Sequence, residues 1–203
     1  MPLLPLFDSG ETVLADDARG RIVYTPDFVA ASAAQAWFAE LRDHVPWKAE
    51  RRQMYDREVD VPRLTAHFRL EPQEPEIPGA ILKAAQEVIK KTDVPFNSVG
   101  LNFYRDGRDS VAPHNDHLDT ILEAFPIALL SLGSARRMTI RAKKPPKSVL
   151  HVDLAPGSLL MMSYATQLHY THGIPKTKDP VGERISLAFR VRPALGEGAD
   201  AYR

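Results

Sequence analysis

Seven short segments rich in β-branched and apolar residues succeed one another between residues 99 and 192, and they restrict the fold more than any other feature. They are Val99–Arg105, Ile127–Leu132, Arg137–Arg141, Val149–Asp153, Ser158–Met162, Leu168–His172 and Arg184–Arg192. Glycine and proline turns such as Gly133, Pro145–Pro146 and Pro156–Gly157 separate them. Many short strands joined by such turns are typical of a double-sheet antiparallel barrel, so the sequence predicts a jelly roll.

Two helices are predicted ahead of these strands. The first begins at Asp27, and its apolar residues recur at helical spacing through Leu41. The second opens at Glu76, has Pro78 in its first turn and ends at Thr92–Asp93. The predicted fold class is therefore α+β, mainly β: a double-stranded β-helix (jelly-roll) barrel backed by N-terminal helices.

The whole chain, residues 1–203, is expected to be one domain. Its 203 residues can bury a sizeable core, and no linker or internal repeat divides them. Residues 1–98 would hold the helices and an exposed, charged loop, and residues 99–192 would form the barrel. Within the first part, residues 1–20 are expected to lie on the surface as an arm, followed by a short strand at Arg21–Tyr24.

Composition excludes several classes of protein. Lysine and arginine together number 26, as do aspartate and glutamate, so a uniformly basic nucleic-acid binder is excluded, although a local basic patch is not. No apolar run is long enough to span a membrane, and the N-terminus lacks the features of a secretion signal. The absence of cysteine excludes disulfides and thiolate metal sites. We expect a monomeric, cytoplasmic protein.

His114 and Asp116 form a candidate metal-binding pair. They lie two residues apart on an extended segment, where alternate side chains point to the same side. An imidazole and a carboxylate supply two ligands of a 2-His-1-carboxylate site, which leaves positions on Fe(II) open for substrate and oxygen. The third ligand must come from downstream, where the chain offers His172 and, three residues earlier, His169.

Polar residues on two predicted strands point to a second ligand beside the metal. Arg184 and Arg190 share one face of the last strand by period two, and two fixed cations suit a dicarboxylate co-substrate. Asn102 and Tyr104 likewise share one face of the strand predicted at Val99–Arg105. Polar groups that face the interior of a barrel need a hydrogen-bond partner, which either a structural side chain or a bound ligand would supply.

Taken together, these motifs resemble those of the AlkB family of Fe(II)/2-oxoglutarate-dependent dioxygenases, in the branch that repairs alkylated nucleic acids. The motifs are Val61-Pro-Arg-Leu-Thr-Ala66, Asn102-x-Tyr104-x-x-Gly107-x-Asp109, His114-x-Asp116, Ser131-Leu-Gly133, Ser158-Leu-Leu-Met-Met162, His172-x-x-Pro175 and Arg184 followed by Arg190. Residue type, order and spacing agree over about half of the chain, which makes the combination specific.

The resemblance implies a role for each motif residue. The implied catalytic residues, which are also the Fe(II) ligands, are His114, Asp116 and His172. The family's motif begins at His172, which is therefore preferred to His169. The residues implied for binding 2-oxoglutarate are Asn102, Tyr104, Arg184 and Arg190. Arg184 would pair with the distal carboxylate, and Arg190 would lie near the carboxylate that chelates iron.

The activity implied by the resemblance is oxidative demethylation of N-alkylated bases, of the 1-methyladenine and 3-methylcytosine type, in DNA or RNA. The products would be the repaired base, formaldehyde, succinate and CO2. Candidates for contacting the nucleic-acid strand lie in the exposed loop 45–66 and the basic hairpin 136–147. They are Trp47, Arg52, Tyr55, Arg63, Arg136 and Arg137. By composition alone, both segments are also compatible with plain surface hairpins.

Three alternatives remain open. An oxygenase of the same fold could hydroxylate a protein or a small molecule, which the zero net charge favours. The barrel could be a non-catalytic nucleic-acid binding module, or the same three side chains could bind zinc in a hydrolase. The chain also departs from the family where relatives often carry acidic residues, at His117–Leu118, and at Ser186 and His67–Phe68.

Overall fold

The computed structural model describes the main chain of residues 10–54, 57–70 and 76–194, and the side chains of residues 10–51, 60–70 and 76–194. Tyr55 and the side chain of Arg52, both predicted to contact substrate, lie outside these ranges.

The strands are β1 (Thr12–Asp17), β2 (Gly20–Thr25), β3 (Lys48–Met54), β4 (Arg57–Arg69), β5 (Ser98–Tyr104), β6 (Val111–His114), β7 (Ile127–Gly133), β8 (Arg136–Ala142), β9 (Val149–Leu154), β10 (Leu159–Met162), β11 (Tyr170–Ile174) and β12 (Arg184–Arg190). The helices are α1 (Ala31–His44), α2 (Gly79–Thr92) and α3 (Tyr164–His169), with a 3₁₀ turn at Leu118–Thr120.

Two antiparallel sheets contain most of the regular secondary structure in the described chain. The larger has eight strands in the order β1-β2-β10-β7-β12-β5-β4-β3, and the smaller has four in the order β6-β11-β8-β9. Neighbours in each sheet pair antiparallel, although many are far apart in sequence. This arrangement confirms the predicted mainly β fold and is consistent with a jelly roll.

Apolar residues form two clusters, one outside the larger sheet and one between the sheets. In the first, Trp37 and Leu41 of α1 and Ile81 of α2 pack with Leu101 and Leu130 of the larger sheet. Full burial of a leucine such as Leu41 contributes about 1.5–3 kcal/mol. The second cluster draws residues from both sheets. The helices therefore back the barrel, as predicted, and leave the space between the sheets to the second cluster.

Both helices begin later than predicted. Asp27 has a φ of 48°, which is not helical, and Val29 donates its N–H to the carbonyl oxygen of Gly157 at 3.0 Å. This hydrogen bond ties the segment to the turn before β10, so α1 starts only at Ala31. In the second helix Pro78 occupies the N-cap, and the helix starts at Gly79.

Two short segments also differ from prediction. Residues 168–172 were expected to be a strand, but α3 extends to His169 and β11 begins at Tyr170. Residues 12–17, within the predicted surface arm, form the edge strand β1 against β2. Pairing with neighbouring elements decides the structure of such short segments more than their own periodicity does. No helix in the described part of the chain is both long and apolar enough to cross a membrane.

Candidate metal centre

His114, Asp116 and His172 converge at one point of the smaller sheet. β6 and β11 are antiparallel neighbours, and their register places His172 opposite His114. The centroids of the two imidazole rings are 4.5 Å apart. One potential ligand atom from each of the three side chains lies within 4.8 Å of the other two. The structure thus brings together the trio predicted from the sequence, whereas His169 ends α3 and is not part of the group.

Two of the three residues are oriented by hydrogen bonds, His114 through its side chain and Asp116 through its main-chain N–H. Nδ1 of His114 lies 3.0 Å from the carbonyl oxygen of Ala112. Because a carbonyl oxygen can only accept, Nδ1 carries the proton, and the lone pair of Nε2 is left for a metal. Asp116 lies beyond the end of β6, and its N–H donates to Oε1 of Gln167 at 3.0 Å. The sequence analysis did not identify Gln167, because no pattern in the sequence links it to residue 116.

The three groups have the protonation states that a divalent cation requires. Burial opposes ionisation of Asp116, but the charge and hydrogen bond of Arg190 prevail and lower the pKa of Asp116 to about 2. Nε of Arg190 donates to Oδ2 of Asp116 at 2.5 Å. Burial, followed by the neighbouring His114, lowers the pKa of His172 to about 4, and burial lowers the pKa of His114. At neutral pH the site offers one carboxylate and two neutral imidazoles, a donor set that suits Fe(II).

Arg184 is a buried cation with two unpartnered nitrogens. Its side chain is 0% exposed, and its Nη2 donates to Oγ of Ser131 at 2.9 Å. Nε and Nη1 are buried and have no hydrogen-bond partner within the described part of the chain. Its guanidinium carbon lies 5.1 Å from the centre of the Tyr104 ring, and burial lowers the pKa of Arg184. Each unpartnered buried donor costs about 1–3 kcal/mol, so this position fits an anionic ligand that would accept those two hydrogen bonds.

A cavity of about 60 Å³ is lined both by Arg184 and by the candidate metal ligands His114 and His172. Its polar lining consists of Arg63, Asn102, Tyr104, His114, His172, Arg184, Ser186 and Arg190. The period-two predictions are confirmed, because Asn102 and Tyr104 of β5 and Arg184 and Arg190 of β12 all face this one cavity. The lining thus combines guanidinium groups with two of the candidate metal ligands, a set of groups that suits a small dicarboxylate.

A wider cleft of about 1080 Å³ opens over the same site. Arg63 lines it and also donates from Nε to Oδ1 of Asn102 at 2.6 Å. Arg69, Arg141 and Lys176 line the cleft as well, although the sequence analysis did not assign them. Arg141 belongs to the basic hairpin, and its alternation with buried residues along β8 was the signal that could have placed it outside the core.

Trp47 and Arg137, both predicted to contact substrate, line neither of these two cavities. The Trp47 ring packs 5.2 Å from that of Phe103, and its Nε1 donates to the carbonyl oxygen of Arg42. Trp47 is thus half-buried against the first apolar cluster, and its contact with substrate stays a prediction. Arg137 forms an ion pair with Asp153 at 2.8 Å on the exposed face of the smaller sheet.

Arg136 corrects the predicted basic patch most directly. It is 3% exposed and donates to the carbonyl oxygens of Asp106, Asp109 and Pro175 at 3.0, 2.9 and 2.8 Å. Buried and exposed residues alternate along β8, so Arg136 points inward on the same face as Met138. A guanidinium held in this way cannot contact a nucleic-acid strand, and the prediction for Arg136 is wrong.

Comparison with known proteins places these residues in context. A family model described as the 2OG-Fe(II) oxygenase superfamily matches residues 21–190. The chain is 31% identical over 188 residues to "Alpha-ketoglutarate-dependent dioxygenase alkB homolog 3" of Bos taurus, covering 84% of this chain and 65% of the relative. It is 30% identical over 198 residues to the protein of that name in Mus musculus, and the match covers 89% of this chain and 69% of the relative. It is 37% identical over 106 residues to "DNA oxidative demethylase ALKBH2" of Homo sapiens, and the match covers 49% of this chain and 41% of the relative. The chain thus spans just under two thirds of the length of the first of these relatives.

Proposed function

The chain belongs to the AlkB family within the 2OG-Fe(II) oxygenase superfamily, and from this membership we propose that it demethylates N-alkylated bases in DNA or RNA, with Fe(II) and 2-oxoglutarate. The observation that supports the proposal is that one cavity is lined both by His114 and His172 of the trio and by Arg184, whose buried Nε and Nη1 have no hydrogen-bond partner among the described residues. A zinc hydrolase would have no use for a buried cation in the same cavity as two of its metal ligands. The substrate class is suggested by relatives whose names describe DNA oxidative demethylases.

His114, Asp116 and His172 would hold the iron through Nε2, a carboxylate oxygen and an imidazole nitrogen. Bound iron supplies the coupling of O2 reduction to oxidation of 2-oxoglutarate and of the methyl group. In the overall reaction, the N-methyl base, 2-oxoglutarate and O2 become the unmethylated base, formaldehyde, succinate and CO2. Arg190 keeps Asp116 ionised through the ion pair described above.

The co-substrate would be held by side chains of β5 and β12. The free N–H groups of Arg184 would donate to its distal carboxylate, and charge-assisted bonds of this kind are about twice as strong as neutral ones. Tyr104 packs beside the same guanidinium. Asn102 accepts a hydrogen bond from Arg63 and lines the same cavity, two residues before Tyr104 on β5. These residues would set which end of the dicarboxylate reaches the metal.

The substrate base would enter through the cleft of about 1080 Å³ above the metal position. A methyl group on the Watson–Crick edge can reach the metal only if the base is unstacked, so the target would be a single strand or a flipped nucleotide. We propose that a single catalytic domain carries out the whole reaction; its larger sheet includes β1–β4 from residues 12–69, in addition to the strands expected within residues 99–192.

A direct assay tests this function. Incubated with Fe(II), 2-oxoglutarate and an oligonucleotide containing one 3-methylcytosine, the protein is expected to release formaldehyde and succinate in equal amounts. The same oligonucleotide without the methyl group serves as the control and should yield no formaldehyde. Succinate formation that depends on a protein or small-molecule acceptor, and never on a methylated base, would favour the hydroxylase alternative.

Charge removal in the cleft tests strand binding separately from chemistry. Arg141 and Lys176 line the cleft, and neither pairs with an acidic residue within the described ranges. The variant carrying both Arg141→Gln and Lys176→Gln should bind single-stranded DNA more weakly, because each phosphate contact contributes about 0.7 to the slope of log K against log salt. We expect that slope to become shallower by about 1.4 for two lost contacts.

Arg137→Gln is the matched control, since Arg137 lies on the same strand as Arg141 but pairs with Asp153 and lines neither cavity. Its affinity and salt slope should equal those of the unsubstituted protein. An equal loss of affinity in the double variant and in Arg137→Gln, or no change in slope for the double variant, would place the strand elsewhere.

A further inference from the structure

Of the three candidate metal ligands, Asp116 alone lies outside a strand. β6 ends at His114, so the N–H of Asp116 has no partner in the β6–β11 ladder. Both Asp116 and Gln167 are buried, with Gln167 only 1% exposed. The hydrogen bond from the N–H of Asp116 to Oε1 of Gln167 at 3.0 Å takes the place of the missing ladder contact. An unsatisfied amide at this position would be costly.

The orientation of the Gln167 side chain is determined from both ends. A main-chain N–H can only donate, so the atom that faces Asp116 must be the oxygen. The other end, Nε2, donates to Oγ1 of Thr166 at 3.0 Å, and that hydroxyl donates to the carbonyl oxygen of Ser163 at 2.6 Å. The main chain of Gln167 is held in turn by Lys143, whose Nζ donates to its carbonyl oxygen at 2.7 Å. The acceptor therefore has little freedom to move away.

Gln167 also connects the two segments that carry the metal-binding groups. It lies in α3, and the chain passes directly from α3 into β11, which carries His172. Asp116 is held on its opposite side, where Arg190 binds the carboxylate. The main chain of Asp116 is thus held by one residue and its carboxylate by another.

We propose that Gln167 is a positioning residue for the metal, which fixes the main chain of Asp116 so that its carboxylate and His172 reach one ion. The inference rests on the proposed use of His114, Asp116 and His172 as metal ligands, but not on the nature of the substrate. Residues that orient metal ligands typically contribute about 10- to 100-fold in metal affinity. Gln167 touches none of the reacting groups, so its effect is expected on the metal first.

Metal binding in the absence of nucleic acid tests the proposal. Mn²⁺ affinity would be measured by calorimetry, and the Co²⁺ absorption spectrum would report the ligand geometry. Gln167→Met keeps the volume but removes the acceptor, and we expect it to weaken Mn²⁺ binding by about 10- to 100-fold and to alter the Co²⁺ spectrum. Gln167→Glu keeps an oxygen that accepts from the N–H of Asp116, and burial keeps the new carboxyl protonated so that its O–H replaces the N–H donor to Thr166; it should therefore restore most of the affinity.

Tyr24→Phe controls for general destabilisation. The Tyr24 hydroxyl also accepts a main-chain N–H, that of Ala155 at 3.2 Å, but Tyr24 lines neither cavity. This variant should lose thermal stability while binding Mn²⁺ like the unsubstituted protein. The proposal is overturned if Gln167→Met binds Mn²⁺ normally, if Gln167→Glu is as weak as Gln167→Met, or if Tyr24→Phe loses as much affinity. If the unsubstituted protein binds Mn²⁺ but never demethylates, the proposed function fails while this inference stands.

Discussion

His172→Ala is expected to reduce formaldehyde release by at least about a thousandfold, which corresponds to about 4 kcal/mol in activation free energy. His172 lies opposite His114 in the β6–β11 register, so its removal leaves only one imidazole and one carboxylate for the metal. Two ligands would hold Fe(II) too weakly and without a defined geometry for the open positions. Activity should be measured together with Mn²⁺ affinity, because both should fall.

His169→Ala is the matched control for this prediction. His169 was the rival third ligand on sequence grounds, but it lies at the end of α3 and outside the group of potential ligand atoms. Demethylation by His169→Ala should remain within about twofold of the unsubstituted protein, as is usual for a residue that contacts neither ligand nor core. Normal turnover by His172→Ala, or its loss in His169→Ala, would contradict the assignment of the third ligand.

Arg184→Met is expected to have two opposite effects, one on co-substrate binding and one on stability. Truncating one partner of a buried charge pair costs about 2–4 kcal/mol, so the KM for 2-oxoglutarate should rise at least about 30-fold. Without co-substrate, however, Arg184 is a buried cation with two unpartnered nitrogens. Replacing such a group by a methionine of similar length should leave the melting temperature unchanged or raise it.

The measurement is a pair of thermal unfolding curves, with and without 2-oxoglutarate, for protein loaded with Mn²⁺. The unsubstituted protein should gain stability on adding the co-substrate, because ligand that binds only the folded state raises its stability, and Arg184→Met should lose that gain. Arg136→Met is the control. Arg136 is also a buried arginine, but three carbonyl oxygens accept its hydrogen bonds, so its loss should destabilise the protein with or without co-substrate. A large loss of stability in ligand-free Arg184→Met, together with an unchanged KM, would refute the assigned role.

Alternation along strands correctly placed four of the residues that line the cavity beside the candidate metal ligands. Asn102 and Tyr104 of β5, and Arg184 and Arg190 of β12, were placed on common faces from the sequence, and all four line the cavity. This succeeds because alternation is a local property of any extended chain. The same rule also applied to Arg136, whose position two residues before Met138 indicates the inward face of β8. The error there came from counting charges along the hairpin without separating its two faces.

Strand alternation predicted that the side chains of His114 and Asp116 point to the same side, but only His114 lies in a strand. His114 ends β6, and the segment that follows has no strand partner. The direction of the Asp116 side chain therefore depends on Gln167 and Arg190, which contact its amide and its carboxylate. Neither contact can be deduced from spacing, since the partners lie in distant parts of the chain.

By itself, the sequence determined the mainly β fold, the residues of the metal trio and the faces of β5 and β12, because each follows from local alternation, turn residues and recurring motifs. Only the tertiary structure decided that β11 pairs with β6 so that His172 meets His114, that Gln167 supports Asp116, and that Arg136 is buried whereas Arg141 lines the cleft. These outcomes depend on how the two sheets close and pair over long sequence separations. Such pairing is set by the packing of the whole barrel, so it cannot be read from any single segment of the chain.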